Sequence, residues 1–400
     1  MTKKIIHIIR FIFKTIRITR IGLIYLCVFL SSFFRLRKFY LRNHIIGLIS
    51  IHCDTGLGRV TQQLSDVVKM NFKSSTLFIA NNSMSELKEY ISLNSSINIC
   101  VGNPDIFSPL FIKILGFSIF KKYNVGLWFW ELENVPLPWR LSKNFFDEVW
   151  VQSDFVFNIF KSISDNVIKI PFYVEVESNL SITREKLNLP NGVFIFIFTF
   201  DFLSYYERKN PEAVIRAFVS AFEDREDVLL LIKTVNGNAK PEHKAKLSLI
   251  IESLSNVQFR DEFVSYDEQV GLIELSDCYV SLHRSEGLGL GMAEAMYLGK
   301  PVIATNYSGN LEFMNQSNAC LVKFEMVPVS DENYIYGSGQ KWAEPDVYDA
   351  ASYMKRIVDD VSYRESLGRQ AAIDMRNNFS KSKFEKIINQ RLNEIIISRT

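Results

Sequence analysis

The sequence predicts an α/β protein made of two doubly wound domains that face each other across a cleft. Three observations indicate this architecture. The chain has 400 residues, which is more than one hydrophobic core usually holds. Short apolar runs alternate with segments of helical period, as in a parallel sheet flanked by helices. The alternation occurs in two series, which are separated by the polar segment 175–192 with its closing turn signal Leu-Pro-Asn-Gly.

Each series predicts six strands. In the first series, strands are expected at residues 44–52, 75–80, 97–101, 126–130, 148–152 and 167–170, and helices at 59–70 and 153–162. In the second series, strands are expected at 193–200, 228–233, 257–260, 278–282, 301–304 and 319–322, and helices at 211–222, 240–253, 265–274 and 290–298. The strand 193–200 reads VFIFIFTF, and its lack of polar residues other than threonine is typical of a strand buried on both faces. Residues 348–398 are predicted to be mostly helical.

These elements divide the chain into four expected parts. Residues 1–42 form a basic, apolar segment, and residues 43–185 form a Rossmann-like domain. Residues 186–380 form a second Rossmann-like domain, and residues 381–400 form a last helix that could pack back on the first domain. A cleft between two such domains is a common place for a ligand.

The basic residues are concentrated at the N-terminus. The net charge is +2, but residues 1–42 contain ten lysines and arginines and no acidic residue, so the rest of the chain carries a net charge of −8. This remainder lacks the broad basic surface that is typical of nucleic-acid binding. The apolar run 21–34 is shorter than the ~20 residues of a membrane-spanning helix, and no small-residue cleavage site follows it. We expect this segment to lie on the cytoplasmic face of a membrane, with a single span and a structural extension as alternatives.

The cysteines show no pattern of a metal or disulfide framework. There are five, without CxxC spacing or a histidine partner: Cys27, Cys53, Cys100, Cys278 and Cys320. We interpret them as small buried side chains in a protein of the reducing cytosol, and we predict no metal site.

The most informative segment is 281–299, which reads SLHRSEGLGLGMAEAMYLG. A predicted strand runs into a glycine-rich turn, and a helix follows. Such a turn presents backbone N–H groups at the positive end of a helix and can bind phosphate. A dinucleotide fingerprint would need a third glycine where Met292 stands, which disfavours that alternative. Glu286 in the loop and Glu294 in the helix would both face a ligand at the carboxyl ends of the strands.

The string EGLGLGMAE resembles the signature of the retaining family 4 glycosyltransferases, in which seven residues separate two glutamates around a Gly-x-Gly turn. The continuation AMYLGKPVIATNYSGNLEFM is also similar to that family. This resemblance implies the GT-B fold, with two Rossmann-like domains and a nucleotide diphosphate sugar as the donor. It also implies transfer with retention, by attack on the face from which the phosphate departs.

The same resemblance implies residue roles. Glu294 would bind the ribose hydroxyls, and Glu286 would contact a hydroxyl of the donor sugar. The turn that lies near the diphosphate or the sugar consists of Gly287, Gly289, Leu290 and Gly291.

Two adjacent cations, Arg208 and Lys209, follow the predicted strand 193–200 and precede Pro211, a residue suited to the first helical turn. At the carboxyl end of a strand they could neutralise a leaving diphosphate without a metal, although such a pair alone is more typical of a solvated turn. The family has a similar arrangement, with an arginine at the strand end and a lysine several residues later. Lys209 matches the lysine, whereas Leu203 stands near the place of the arginine, for which Arg208 is the expected substitute.

Other polar residues near the predicted cleft are weaker candidates. Lys233, at the expected end of strand 228–233, could also reach the phosphates. His52 and His283 are interpreted as hydrogen-bonded structural residues.

The first domain offers two candidate elements. Gly56 and Gly58 follow the first predicted strand and permit close backbone approach, with a simple tight turn as the alternative. In the family, a similar loop faces the donor phosphates and the acceptor. Glu131 ends an aromatic run and could orient acceptor or donor hydroxyls, or simply terminate a strand. Trp128 and Trp130 of this run are predicted to be core residues.

Together these patterns predict transfer of a sugar from a nucleotide diphosphate sugar to a glycan or lipid-linked acceptor, in the assembly of a surface polysaccharide such as lipopolysaccharide. No cofactor is expected besides this donor substrate. Three alternatives are a non-catalytic scaffold of the same fold, a sugar-nucleotide epimerase, and a phosphorylase with a lysine-bound pyridoxal cofactor.

Overall fold

Two parallel sheets of six strands form the centre of the protein. The computed structural model describes residues 45–50, 56–78, 95–105, 122–223 and 225–399. The basic segment 1–42, His52 and Cys53 lie outside these ranges, so the predictions made for them stay predictions. The sequence prediction of two doubly wound α/β units is confirmed.

The first sheet has the strand order β2-β1-β3-β4-β5-β6, and all its neighbouring strands are parallel. Its strands are β1 (Ile46–Ser50), β2 (Ser74–Phe78), β3 (Ile97–Val101), β4 (Tyr123–Leu127), β5 (Glu148–Val151) and β6 (Val167–Lys169). Its helices include α1 (Gly56–Asn71), α2 (Leu137–Ser142) and α3 (Asp154–Lys161). Strands β1 and β3 are buried along their whole length, as expected where helices cover both faces of a sheet.

The second sheet has the order β12-β11-β10-β7-β8-β9 and is also parallel. Its strands are β7 (Phe194–Asp201), β8 (Val228–Val235), β9 (Val257–Asp261), β10 (Cys278–Ser281), β11 (Val302–Thr305) and β12 (Cys320–Val322). Its helices are α4 (Tyr206–Lys209), α5 (Pro211–Phe222), α6 (Pro241–Ile251), α7 (Tyr266–Glu274) and α8 (Leu290–Tyr297). The helix α7 begins at a capping box of Ser265 and Glu268, a sequence signal that fixes its first turn.

Three helices follow the second sheet: α9 (Val347–Asp359), α10 (Val361–Asn378) and α11 (Lys381–Ile397). The helix α11 returns to the first sheet. Its Phe384 and Ile388 share a buried cluster with Ile46 and Leu48 of β1, and Arg391 Nε donates to the buried carboxylate of Glu148 at 3.1 Å.

An antiparallel hairpin of β13 (Phe324–Pro328) and β14 (Lys341–Pro345) leaves the second sheet, and the sequence analysis did not predict it. Residues of the hairpin and its connection, Tyr334 and Trp342, join the buried aromatic cluster of Trp128, Trp130 and Trp139 in the first domain. The hairpin therefore links the two sheets through their apolar surfaces.

Two predicted element bounds are wrong in ways that matter for the site. The fourth strand spans Tyr123–Leu127 rather than 126–130. Its buried Asn124 can lie in the sheet because its side-chain oxygen accepts a hydrogen bond from Asn98 of β3 at 2.8 Å. The tryptophans Trp128 and Trp130 follow the strand, and both are buried in the core as predicted. The first helix begins at Gly56 rather than at residue 59, so both candidate glycines belong to its first turn.

The cysteines within the described ranges are buried thiols, which confirms the interpretation of Cys100, Cys278 and Cys320. Among the helices of the described residues, none combines the length and apolarity needed to cross a membrane.

Candidate functional site

The candidate site lies where the strand order of the second sheet reverses. Strand β7 starts the sheet, the chain adds β8 and β9 on one side of it, and β10 then pairs on its other side. The loops after β7 and β10 therefore diverge and leave a crevice at the carboxyl ends of these strands, where open α/β sheets bind ligands. The loop after β7 leads to Arg208 and Lys209, and the loop after β10 contains Glu286.

Arg208, Lys209 and Glu286 form one cluster of ion pairs in this crevice. Arg208 Nη1 lies 3.1 Å from Glu286 Oε2, and the Lys209 ammonium donates to Glu286 Oε1. Arg208 Nη1 also donates to the carbonyl of Ser285 at 2.9 Å. Because the side chains of Arg208 and Glu286 are buried, this pairing compensates much of the cost of removing their charges from water.

The electrostatics of the cluster favour an anionic ligand. Burial alone would raise the pKa of Glu286, but the charges of Lys209 and Arg208 outweigh it and lower this pKa to about 2. Burial lowers the pKa of Lys209, and the Glu286 carboxylate partly offsets that effect. With both cations protonated, the three side chains carry one net positive charge, which can attract a phosphate group.

The glycine-rich turn brings the backbone to the same place. Gly289 caps α8 with φ of +93°, a left-handed conformation that glycine adopts without strain. Gly309 of the next loop packs so closely that a Cβ on it would lie 2.0 Å from the carbonyl oxygen of Gly287. Gly289 holds the N-cap position but has no side chain that could accept a hydrogen bond from the first turn of α8. The N–H groups of that turn can therefore bind an anionic ligand.

Glu294 lies on the buried side of α8 and is paired with Arg59, which reaches it from α1 of the first domain. Burial raises the pKa of Glu294, and the charge of Arg59 partly offsets this effect. The Arg59 guanidinium also lies 5.4 Å from the ring centre of Tyr266. In this structure, Arg59 of the first domain therefore pairs with Glu294, the carboxylate predicted from the sequence to bind the ribose.

Glu131 reaches the cluster from the loop after β4 of the first domain. Its Oε1 lies 4.0 Å from Arg208 Nη2, and the Tyr334 hydroxyl donates to its Oε2 at 2.5 Å. The Ser285 hydroxyl donates to the backbone carbonyl of Glu131. Of the predicted site residues, Arg208, Lys209, Glu286 and Glu131 thus form one continuous set of contacts.

Further contacts hold the two domains together around the turn. Ser153 Oγ donates to the carbonyl of Gly287 at 2.8 Å. A Cβ on Gly56 would lie 3.7 Å from the Leu290 side chain, so the start of α1 approaches the start of α8. Gly58, two residues further along the same turn, is buried. The glycine-rich elements of the two domains therefore face each other.

Lys233 is not part of this cluster. The strand continues beyond it to Val235, and its ammonium donates to the backbone carbonyls of Thr234 at 3.1 Å and Glu262 at 2.5 Å. The prediction that Lys233 stands at a strand end is wrong, because β8 pairs in register with β7 for two more residues. His283 is buried and lies 3.0 Å from Ser281 Oγ and 3.1 Å from Asn310 Oδ1, as expected for a structural histidine.

Three residues near the site were missed by the sequence analysis. Arg59 had a local signal, since it follows the glycines of the first loop directly. Tyr334 had none, because its partner Glu131 is 203 residues away. Tyr205 precedes the helix of Arg208, but nothing in the string SYYERKN distinguishes it from Tyr206, which is buried.

Part of the chain matches the model of a known protein family. Residues 182–326 match the family model of the glycosyl transferases group 1. This segment contains both cations of the cluster, Glu286, Glu294 and the glycine-rich turn. No curated protein sequence matches the chain.

Several solved structures share the whole architecture. HepE from Anabaena in complex with UDP and glucose aligns with a TM-score of 0.67 over 88% of this chain and 100% of HepE, at 12% identity. The fold is GT-B. A glycosyltransferase from Rickettsia africae matches this GT-B arrangement with a TM-score of 0.67, 16% identity and coverage of 89% and 99%. Sucrose-phosphate synthase from Thermosynechococcus elongatus aligns with a TM-score of 0.66 over 89% of this chain and 100% of the synthase, at 14% identity.

The GT-B fold gives the two sheets distinct positions around the site. The strands of the second sheet lie in the segment that matches the glycosyl transferase model. This segment also contains the ion-pair cluster of Arg208, Lys209 and Glu286 and the glycine-rich turn. The first sheet supplies Arg59 and Glu131, which reach across to this cluster. The candidate site is therefore an interdomain site of a GT-B protein.

Proposed function

We propose that this protein is a retaining glycosyltransferase that moves a sugar from a nucleotide diphosphate sugar to a glycan or lipid-linked acceptor. The observation that carries the proposal is the convergence of Arg208 and Lys209 on Glu286 beside the uncapped start of α8. Two cations and a helix end aimed at one point stabilise a departing diphosphate. The carboxylate beside them suits a sugar hydroxyl.

In the proposed reaction, the bond between the anomeric carbon and the diphosphate oxygen breaks, and both electrons leave with the phosphate. A bond forms between the acceptor oxygen and the anomeric carbon, on the same face of the sugar. The acceptor proton passes to the departing phosphate oxygen, so that the products are the glycoside and the nucleoside diphosphate. Lys209 and Arg208 stabilise the negative charge on that phosphate in the transition state, and this charge stabilisation requires no metal ion in our proposal.

Glu294 is the proposed ligand of the ribose hydroxyls. It lies on α8 about one helical turn beyond Gly289 to Gly291, whose N–H groups would bind the diphosphate. For the ribose to bind, Arg59 has to leave this carboxylate, so the ion pair between Arg59 and Glu294 competes with the nucleotide. HepE binds UDP-glucose, which makes uridine diphosphate sugars the first donors to test.

The biological acceptor is proposed to be a growing surface polysaccharide on a lipid carrier at the cytoplasmic face of the membrane. This part of the proposal rests on the basic, apolar composition of residues 1–42. Deletion of residues 1–40 is expected to move the protein from vesicles with anionic lipids to the soluble fraction. Unchanged partition of the truncated protein would contradict the membrane proposal and leave the transferase proposal intact.

A thermal-shift screen of nucleotide diphosphate sugars tests the function directly, since a ligand that binds only the folded state raises the melting temperature. We expect one class of donor to give a clear shift, and the full-length protein to release the nucleoside diphosphate from that donor when an acceptor is present. If no donor stabilises the protein and none is cleaved, the proposal is wrong.

A further inference from the structure

An exposed tyrosine stands beside the cluster, and the donor chemistry does not use it. Tyr205 lies between β7 and the helix of Arg208 and Lys209, and 37% of its surface is exposed. Its backbone has φ of +63° and ψ of 107°, outside the regions that non-glycine residues favour. Such backbone strain persists mainly where the surrounding structure imposes it, often at functional sites.

The ring of Tyr205 is supported from behind. Its centre lies 4.4 Å from that of Tyr334, at an angle of 45° between the planes. Tyr334 is itself buried and packs against Trp130 at 5.8 Å and Trp342 at 6.3 Å. Tyr334 and its aromatic neighbours therefore fix the position of Tyr205 while part of its side chain remains exposed.

Two carboxylates of the first domain are close enough to this tyrosine to act on its phenol. Burial raises the pKa of the Tyr205 phenol, and the charges of Glu131 and Asp105 from the first domain raise it further. Glu131 is held in one orientation by the Tyr334 hydroxyl, with its other oxygen toward Arg208. An aromatic ring, a fixed carboxylate and the donor-side cluster thus follow one another across the cleft.

We propose that Tyr205 and Glu131 form an acceptor subsite for a pyranose sugar. The sugar ring lies with its apolar C–H face on Tyr205, and one of its hydroxyls donates to Glu131, one side chain away from the donor cluster. This proposal rests on the proposed transferase function, which it deepens by naming the acceptor as a sugar without a phosphate or carboxylate group.

The chemistry of the subsite disfavours other acceptors. A phosphorylated polyol would bring its negative charge next to Glu131 and Asp105, and like charges repel strongly in a partly desolvated cleft. An alkyl alcohol would cover Glu131 without replacing the hydrogen bonds that water makes to it. A pyranose satisfies both surfaces, because it presents C–H groups on one face and hydroxyls around its edge.

The test measures nucleoside diphosphate release by the full-length protein, with the donor found in the thermal-shift screen. Three acceptor probes are compared: a panel of p-nitrophenyl pyranosides, glycerol 3-phosphate and decanol. We expect a pyranoside to accelerate release above the slow hydrolysis by water, and the other two probes to have no effect. Preference for glycerol 3-phosphate or decanol, or hydrolysis that no pyranoside accelerates, overturns the subsite. Absence of both hydrolysis and transfer instead counts against the proposed function.

Two substitutions then test Tyr205 itself. Tyr205→Ala is expected to raise the KM for the pyranoside about tenfold, as for the loss of an aromatic anchor, and to change the donor KM by a smaller factor. Tyr205→Phe keeps the ring and should keep most of the affinity. The matched control is Tyr348→Ala, an exposed tyrosine at the start of α9. An unchanged acceptor KM in Tyr205→Ala, with a melting temperature like that of the wild type, would contradict the platform role.

Discussion

The loops after β7 and β10 form the C-terminal wall of the cleft, and the start of α1 and the loop after β4 form its N-terminal wall. In the C-terminal wall, Glu286 and Glu294 flank one glycine turn, and neighbouring strands of one sheet fix the cations beside them. In the N-terminal wall, Glu131 depends on Tyr334 and Arg59 depends on Glu294, across sequence separations of 203 and 235 residues. The C-terminal wall is therefore built within one domain, whereas the N-terminal wall takes shape only when both domains are in contact.

The largest effect is expected from a change in the C-terminal wall. Lys209→Ala removes a cation that stabilises the departing diphosphate, and we expect kcat to fall by about 10²- to 10³-fold, as for other single charge-stabilising groups. The measurement is steady-state nucleoside diphosphate release. Lys161→Ala is a suitable control, because Lys161 ends α3 of the first domain and pairs with the exposed Asp165. A rate within threefold of the wild type for Lys209→Ala would contradict the role proposed for Lys209 in the C-terminal wall.

A smaller effect is expected where the hairpin supports the N-terminal wall. Tyr334→Phe keeps the aromatic packing and loses the hydrogen bond to Glu131, so the carboxylate is no longer held in one orientation. We expect kcat for transfer to fall about tenfold, in line with the value of a hydrogen bond to a charged group. The donor KM and the rate of donor hydrolysis should not change.

The Tyr334 experiment separates positioning from general destabilisation. A merely structural role would lower transfer and hydrolysis in parallel, together with the melting temperature. Tyr348→Phe loses a hydroxyl on the protein surface and should leave all three quantities unchanged.

The ion pair between Arg59 and Glu294 joins the two walls, and its removal is expected to strengthen nucleotide binding rather than to reduce activity. Arg59→Ala frees Glu294 for the ribose, so we expect the Kd of a nucleoside diphosphate to fall by a factor of about 2–5, corresponding to a partly exposed ion pair. Isothermal titration calorimetry measures this directly. Weaker binding in the variant would instead place Arg59 on the nucleotide itself and make it part of the donor site.

The smallest effect is expected at the rim between the domains. Lys169 bonds to Asp154 of its own domain and to Glu312 of the other at 2.6 and 2.9 Å, and all three side chains contact solvent. Lys169→Ala should lower the free energy of unfolding by less than about 1 kcal/mol, and the difference should shrink in high salt. Urea unfolding at low and high ionic strength checks both expectations. A larger loss would show that the rim holds the walls together more than the hairpin does.

The same contrast explains what the sequence could predict. The alternation of apolar and polar segments gives both sheets, since the side-chain period of a buried strand is a local property. The turn of Gly289 and the placement of Glu294 also follow from contiguous residues. The family resemblance found in EGLGLGMAE lies within the segment that matches the glycosyl transferases group 1.

What the sequence could not predict depends on distant contacts or on buried polar residues. The predicted bounds of strand β4 were wrong because Asn124 is typical of a loop. Inside the sheet, its side-chain oxygen accepts a hydrogen bond from the Asn98 amide, which satisfies the buried polar group. The hairpin was missed because its Trp342 and Tyr334 pack on tryptophans of the other domain rather than on their own sheet. Lys233 was misplaced because the pairing of β8 with β7 sets the end of that strand.

The return of α11 to the first sheet affects how the protein can mature during synthesis. Domains generally fold as units as the chain emerges, N-terminal first, at about 5–20 residues per second. Here the last strand of the first sheet ends at Lys169, but the helix that completes its core begins at Lys381. At those rates the first domain waits roughly 10 to 40 s for its final helix. During that interval, the apolar surface around Ile46 and Leu48 is open to chaperones and to other nascent chains.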